Sequence, residues 1–100
     1  MRAMARKETE KHGVLYLVLH REFFDAIASG TKKTEYRADT PYWRTRLENR
    51  TYSEIVFRNG YAKDAPAICV EWLGVRRRNG EFAIRLGEVK SIKNYRHSKR

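Results

Sequence analysis

Residues 67–89 constrain the fold more than any other stretch of the chain. AICVEWLGV (67–75) is dense in β-branched and aromatic residues, RRRNG (76–80) ends in the Asn-Gly pair favoured by tight turns, and EFAIRLGEV (81–89) returns with Phe82, Ile84 and Leu86 on one face. Two strand-like runs flanking such a turn predict an antiparallel hairpin with a basic tip made by Arg76, Arg77 and Arg78. Along the first run Ile68, Val70, Trp72 and Gly74 share one face, while Glu71 falls on the other with Cys69, Leu73 and Val75. A carboxylate among apolar residues is expected to lie at an edge, to be paired, or to be functional.

The remaining segments supply what the hairpin pairs and packs with. Residues 14–19 (VLYLVL) form an apolar run too short for an independent helix and predict a central strand. Residues 21–29 (REFFDAIAS) place Phe23, Phe24, Ile27 and Ala28 at helical spacing with Glu22 and Asp25 outward, and Gly30 stands where a left-handed residue ends a helix. That reversal delivers Thr31, Lys32 and Lys33 in a turn. Residues 33–38 then alternate, Lys33, Glu35 and Arg37 on one face and Thr34, Tyr36 and Ala38 on the other, so the charged face meets either solvent or a polar pocket.

Thr40 as N-cap and Pro41 at the first helical position start a short helix over 42–47, and residues 53–57 (SEIVF) form a further strand ended by the turn RNGY (58–61). The charged, aperiodic residues 1–12 are expected to be a flexible arm, and 90–100, with five basic residues and no acid, a basic tail. The order β-α-β-α-β-β-β predicts one small α+β domain over 13–89, built on a curved, mostly antiparallel sheet or barrel of five to six strands with two short helices.

Charge is the outlying bulk property. Twenty-two Lys and Arg against twelve Asp and Glu give a net charge of +10 and a pI near 10.1, which favours polyanionic partners or, at the least, solubility. Mean hydropathy is low at -0.78, yet the 41% hydrophobic content suits a folded domain. The lone Cys69 is expected to be a buried, inert thiol in a reducing compartment, and no run approaches membrane-span length, so a cytoplasmic protein with no membrane partner is expected. His12, His20 and His97 are scattered and no CxxC, HExxH, Walker A, GxGxxG or GxSxG pattern occurs, so neither a metal nor a cofactor is expected.

The chemistry concentrates in residues 30–46, GTKKTEYRADTPYWRTR. A lysine at a helix exit beside a carboxylate can polarise a carbonyl while the carboxylate activates water; the same Lys32, Lys33, Glu35 and Arg37 also suit a solvated strand of paired charges. Tyr42 and Trp43 beside Arg44 and Arg46 can stack a base and hold phosphates, or can cap the core. Arg58, Asn59 and Tyr61 can read a base edge, or form only a turn.

Taken in order, SGTKKTEYR, PYWRTRL, FRNGY, APAICVEWLGV and EFAIRLGEV resemble the ASCH domain family over about residues 14–89. That resemblance implies a PUA-like small β-barrel and RNA-related work in a cleft between barrel and helices. Some members of similar size hydrolyse the acyl amide of N4-acetylcytidine with a lysine, a threonine and a glutamate; others bind or cleave RNA. Lys32 falls on the amidohydrolase lysine, Glu35 on the threonine position with Thr34 one place off, and Glu71 is the nearest substitute for the third residue, because Val75 runs straight into the hairpin.

The expectation from the resemblance is a metal-independent amidohydrolase in which Lys32 polarises the scissile carbonyl and Glu35, aided by Glu71, serves as base. Thr34, Tyr36, Arg37, Trp43, Arg58, Asn59 and Tyr61 would shape the base pocket, with Lys33, Arg44, Arg46, Arg76, Arg77 and Arg78 on phosphates. The partner is then a modified cytidine nucleoside or RNA, the alternatives being a non-catalytic RNA-binding module or a ribonuclease. Oligomeric state stays open, with a monomer favoured.

Overall fold

The computed structural model describes residues 10–95. Five strands and two helices follow one another as β1 (Glu10–Val18), α1 (Arg21–Ser29), β2 (Thr34–Ala38), α2 (Pro41–Leu47), β3 (Arg50–Arg58), β4 (Ala67–Arg78) and β5 (Glu81–Lys93). The strands form one sheet in the order β1-β3-β4-β5-β2, with β1 parallel to β3 and every other pair antiparallel. The sheet curls into a half-barrel, so the α+β class with two short helices stands.

The curl brings the two ends of the strand order together. β1 and β2 are the outermost strands of the sheet, yet Arg37 of β2 donates from Nη2 to the carbonyl oxygen of Val18 in β1 at 3.3 Å. Alternation along the strands sends Leu15, Leu17, Ile55, Phe57, Ile68, Val70, Ile84 and Leu86 to the concave side, where Phe24 and Ile27 of α1 and Leu47 of α2 complete the core. Fully burying each of these large side chains contributes on the order of 1.5–3 kcal/mol.

Local chemistry explains both helices. α1 carries Glu22 in its first turn and ends on Gly30 at φ 87, after which the amides of Thr31 and Lys32 both donate to the Ala26 carbonyl at 3.0 Å. α2 starts at Pro41 with the Thr40 hydroxyl accepting from the Trp43 amide, and Asn49 turns the chain out at φ 55. The β4–β5 hairpin closes through Asn79 and Gly80, both at positive φ, as the Asn-Gly pair requires.

Three expectations change. β1 is an edge strand, not a central one: Leu15 and Leu17 are buried but Tyr16 between them is 67% exposed, so its uniformly apolar sequence covers a half-buried strand closed from the far side by β2. The residues expected in the tail continue as β5 to Lys93, and Tyr95 then packs on Phe24 with ring centroids 5.5 Å apart, so only residues 96–100 of that tail lie outside the described residues. Of the expected arm, residues 10–12 belong to β1 and residues 1–9 lie outside the described residues.

Phe57 is fully buried at the centre of this core. Phe57→Ala should lower the unfolding free energy by about 3–5 kcal/mol in a denaturant titration, whereas Tyr61→Ala, at a side chain 87% exposed, should change it by less than about 0.5 kcal/mol.

Candidate functional site

The turn after α1 and the first residues of β2 gather a compact charge cluster. Because the Lys32 amide is tied to the last turn of α1, its side chain runs back along β2, where Nζ donates to the Thr34 carbonyl at 2.7 Å and pairs with Glu35 Oε1 at 3.2 Å. The other carboxylate oxygen, Oε2, accepts from Arg37 Nε at 2.8 Å, with Arg37 Nη2 in ion-pair contact with it at 2.8 Å. Glu35 is only 6% exposed and is the one buried charged residue among those described. Of the two faces that alternation assigned to β2, the charged one points into the half-barrel and Tyr36, 54% exposed, points out.

Burying a carboxylate is costly unless its lone pairs are met by donors, and here two cations meet it. One carboxylate between two cations leaves the cluster with a surplus positive charge. Beside it opens a hollow of about 240 Å³ lined by Phe23, Lys32, Glu35 and Tyr36, with Lys32 Nζ lying 5.5 Å from the Phe23 ring centre and 5.9 Å from that of Tyr36. An ammonium has three donors, and two of them are used, so one remains for a ligand in the hollow. Arg37 also lies over the ring of Trp43, 4.9 Å from its centre, which links the cluster to α2.

Other expected site residues lie elsewhere. Glu71 sits on the outer face of β4, where its carboxylate lies over Gly87 so closely that a Cβ there would clash with Oε1. With Lys33, Thr34 and Arg85 it lines a separate hollow of about 490 Å³ rather than the one at Lys32 and Glu35. Alternation accounts for this placement, because Ile68 and Val70 point into the core and Cys69 and Glu71 between and beside them point away from it.

Asn59 is a structural residue, its side-chain amide donating to the Leu19 carbonyl at 2.9 Å and its backbone amide to that of Pro66 at 3.0 Å. Arg58 donates to the Ala62 carbonyl, and Tyr61 projects from the surface. None of the three reaches the Lys32 hollow.

The arginines divide similarly. Asp39 holds Arg44 at 2.6 Å and Arg77 at 2.8 Å, and Arg77 also bonds Glu48, fastening the β4 arm to both ends of α2. Arg46 lies on the Tyr42 ring, 3.6 Å from its centre, and Trp43 packs against the core with Tyr42 edge-on to it. Arg76 and Arg78 are exposed.

Phe23 is the site residue that sequence reasoning missed. It was counted with the apolar face of α1, but that face turns Phe24 and Ile27 inward and leaves Phe23 at 42% exposure as the wall of the hollow.

Cys69 donates its thiol to Glu54 at 3.0 Å, and burial together with that carboxylate pushes its pKa up to about 11, so it is a neutral thiol rather than a nucleophile. Among the described residues no group of three or more His, Cys, Asp and Glu is arranged to hold a metal, and no helix is long and apolar enough to cross a membrane. Compared with known families and curated proteins, the chain matches no family model and no curated sequence.

Two outcomes follow from these geometries. Arg37→Met leaves Glu35 short of a partner and should cost about 3 kcal/mol in chemical denaturation, while Glu35→Leu combined with Arg37→Met should recover most of that loss. Arg77 and then Arg44 hold the Asp39 carboxyl below its ordinary 3.8, a contribution to stability present above that pH and lost as pH falls through the lowered value. Stability measured across about pH 5 to 2 should therefore fall less steeply in Asp39→Asn than in the parent chain.

Proposed function

We propose that the protein is a metal-independent amidohydrolase that removes the acyl group from N4-acylated cytosine nucleosides, N4-acetylcytidine above all. The observation that carries this is the 3.2 Å pairing of Lys32 Nζ with Glu35 Oε1 at the edge of an aromatic-walled hollow. A space of about 240 Å³ suits an acylated base with its ribose outside, since it lies below the range usual for sites that enclose whole ligands. The resemblance to ASCH amidohydrolases points to the same lysine.

In this mechanism the base lies against Phe23 and Tyr36, and the remaining Lys32 N–H donates to the amide carbonyl oxygen. A water held by Glu35 Oε1 attacks the carbonyl carbon, giving up its proton to the carboxylate, and the oxyanion forms against the ammonium. Collapse breaks the bond from carbon to N4, which takes the proton back from Glu35, so one water is consumed and cytidine and acetate are released. Arg37 holds Oε2, and Oε1 is the oxygen beside Lys32 Nζ, the ammonium that lines the hollow. With Glu35 where the related enzymes have threonine, water attacks directly and no acyl-enzyme forms.

Lys32→Ala removes the oxyanion donor and should lower kcat about 10²–10³-fold. Glu35→Gln removes the base and should lower it about 10²–10⁴-fold. Acetate release from N4-acetylcytidine by variants with parental circular dichroism checks both, and parental rates in both overturn the assignment.

A second reading, RNA binding without turnover, draws on the net charge of +10 and on the exposed Arg76 and Arg78. RNA affinity would then fall steeply with salt, with a slope set by the phosphates contacted, whereas nucleoside turnover would scarcely respond.

A further inference from the structure

The outer face of the half-barrel carries a trough that the proposed chemistry does not use. Tyr16, Val56, Cys69 and Ser91 stand in register across β1, β3, β4 and β5, and the next row is Val18, Arg58, Ala67 and Lys93. These positions alternate with buried Leu17, Phe57 and Ile68, so they face away from Glu35 and the core. Together with the loop through Lys63 and Ala65 they enclose a space of about 480 Å³.

The lining is sorted by chemistry. Val56, Ala65 and Ala67 provide an apolar floor, and Tyr16 offers an exposed ring at one side. Arg58, Lys63 and Lys93 bring three cations to the opposite end against one carboxylate, Glu54, which is engaged by the Cys69 thiol and lies 3.8 Å from Lys90 Nζ. Among residues 96–100 the charged side chains Arg96, Lys99 and Arg100 are all basic.

We infer that this trough binds a nucleoside monophosphate, its base between the Tyr16 ring and the apolar floor and its phosphate among Arg58, Lys63 and Lys93. The size fits, as ligand sites usually enclose about 300–1,000 Å³. An aromatic ring beside a cluster of cations is the pairing that base stacking and phosphate contact demand. Glu54 adds an acceptor for an exocyclic amine, and three lining cations against that one carboxylate suit a phosphate. This site shares no lining residue with the Lys32 hollow.

The test is a titration of the full chain with adenosine 5′-monophosphate, with adenosine and inorganic phosphate as separate arms, followed by amide chemical shifts. The expected result is saturable shifts at Tyr16, Val56, Cys69 and Ser91, with adenosine and phosphate each binding at least about tenfold more weakly than the nucleotide. Lys63→Glu with Lys93→Glu should weaken the nucleotide at least about tenfold by removing phosphate contacts, and Tyr16→Ala should weaken nucleotide and adenosine alike. Lys32→Ala should leave nucleotide binding unchanged, which separates this site from the proposed catalytic one. Absence of saturation at millimolar nucleotide, shifts confined to residues 32–37, or phosphate binding as well as the nucleotide would each overturn the inference.

Discussion

The Glu35–Arg37 ion pair is the interaction on which the rest of this structure depends. A five-stranded sheet has two free edges, and here the edge strands β1 and β2 are brought together by one arginine that holds a buried carboxylate and reaches the Val18 carbonyl at 3.3 Å. Such a pair recovers little net free energy against the cost of dehydrating its charges. What it supplies is a fixed geometry, with Arg37 on one carboxylate oxygen and Lys32 on the other. Lys32 completes the set, so the contact that shuts the half-barrel also fixes the geometry of the hollow beside it.

Local signals in the sequence were read well because their physics is local. Gly30 ends α1 at positive φ, Thr40 and Pro41 start α2, and Asn79-Gly80 turns the hairpin; each depends on a few neighbouring atoms. What depended on distant partners was not legible. Nothing in VLYLVL says that β1 pairs in parallel with β3 at an edge, because a strand covered on one face by core and half-covered on the other has the composition of a central strand. The length of β5 was missed because Lys90, Ser91 and Lys93 are polar, and pairing with β4 rather than burial keeps them in the sheet.

The candidate site divides along the same line. Lys32, Glu35 and Arg37 were found together because they lie within one short segment, where spacing largely fixes proximity. Glu71 was joined to them only as the nearest substitute the resemblance offered; it follows buried Val70 on β4, so alternation itself sets it on the outer face over Gly87. Asn59 carried a turn signal and a binding signal at once; its side chain is consumed by the Leu19 carbonyl, as a buried backbone acceptor demands. Several arginines expected on phosphates are likewise consumed within the fold, Asp39 and Glu48 accounting for Arg44 and Arg77, so net charge overstates the free basic surface.

The central claim is that the carboxylate closing the half-barrel also delivers water to an acyl amide held by Lys32. Incubating the protein with N4-acetylcytidine while following cytidine, acetate and the intact mass of the chain tests it most directly. Direct attack by water predicts cytidine and acetate released in equal amounts with the mass of the protein unchanged throughout. No release, or an acetyl group carried on the chain at Thr34 or Lys32, would contradict it.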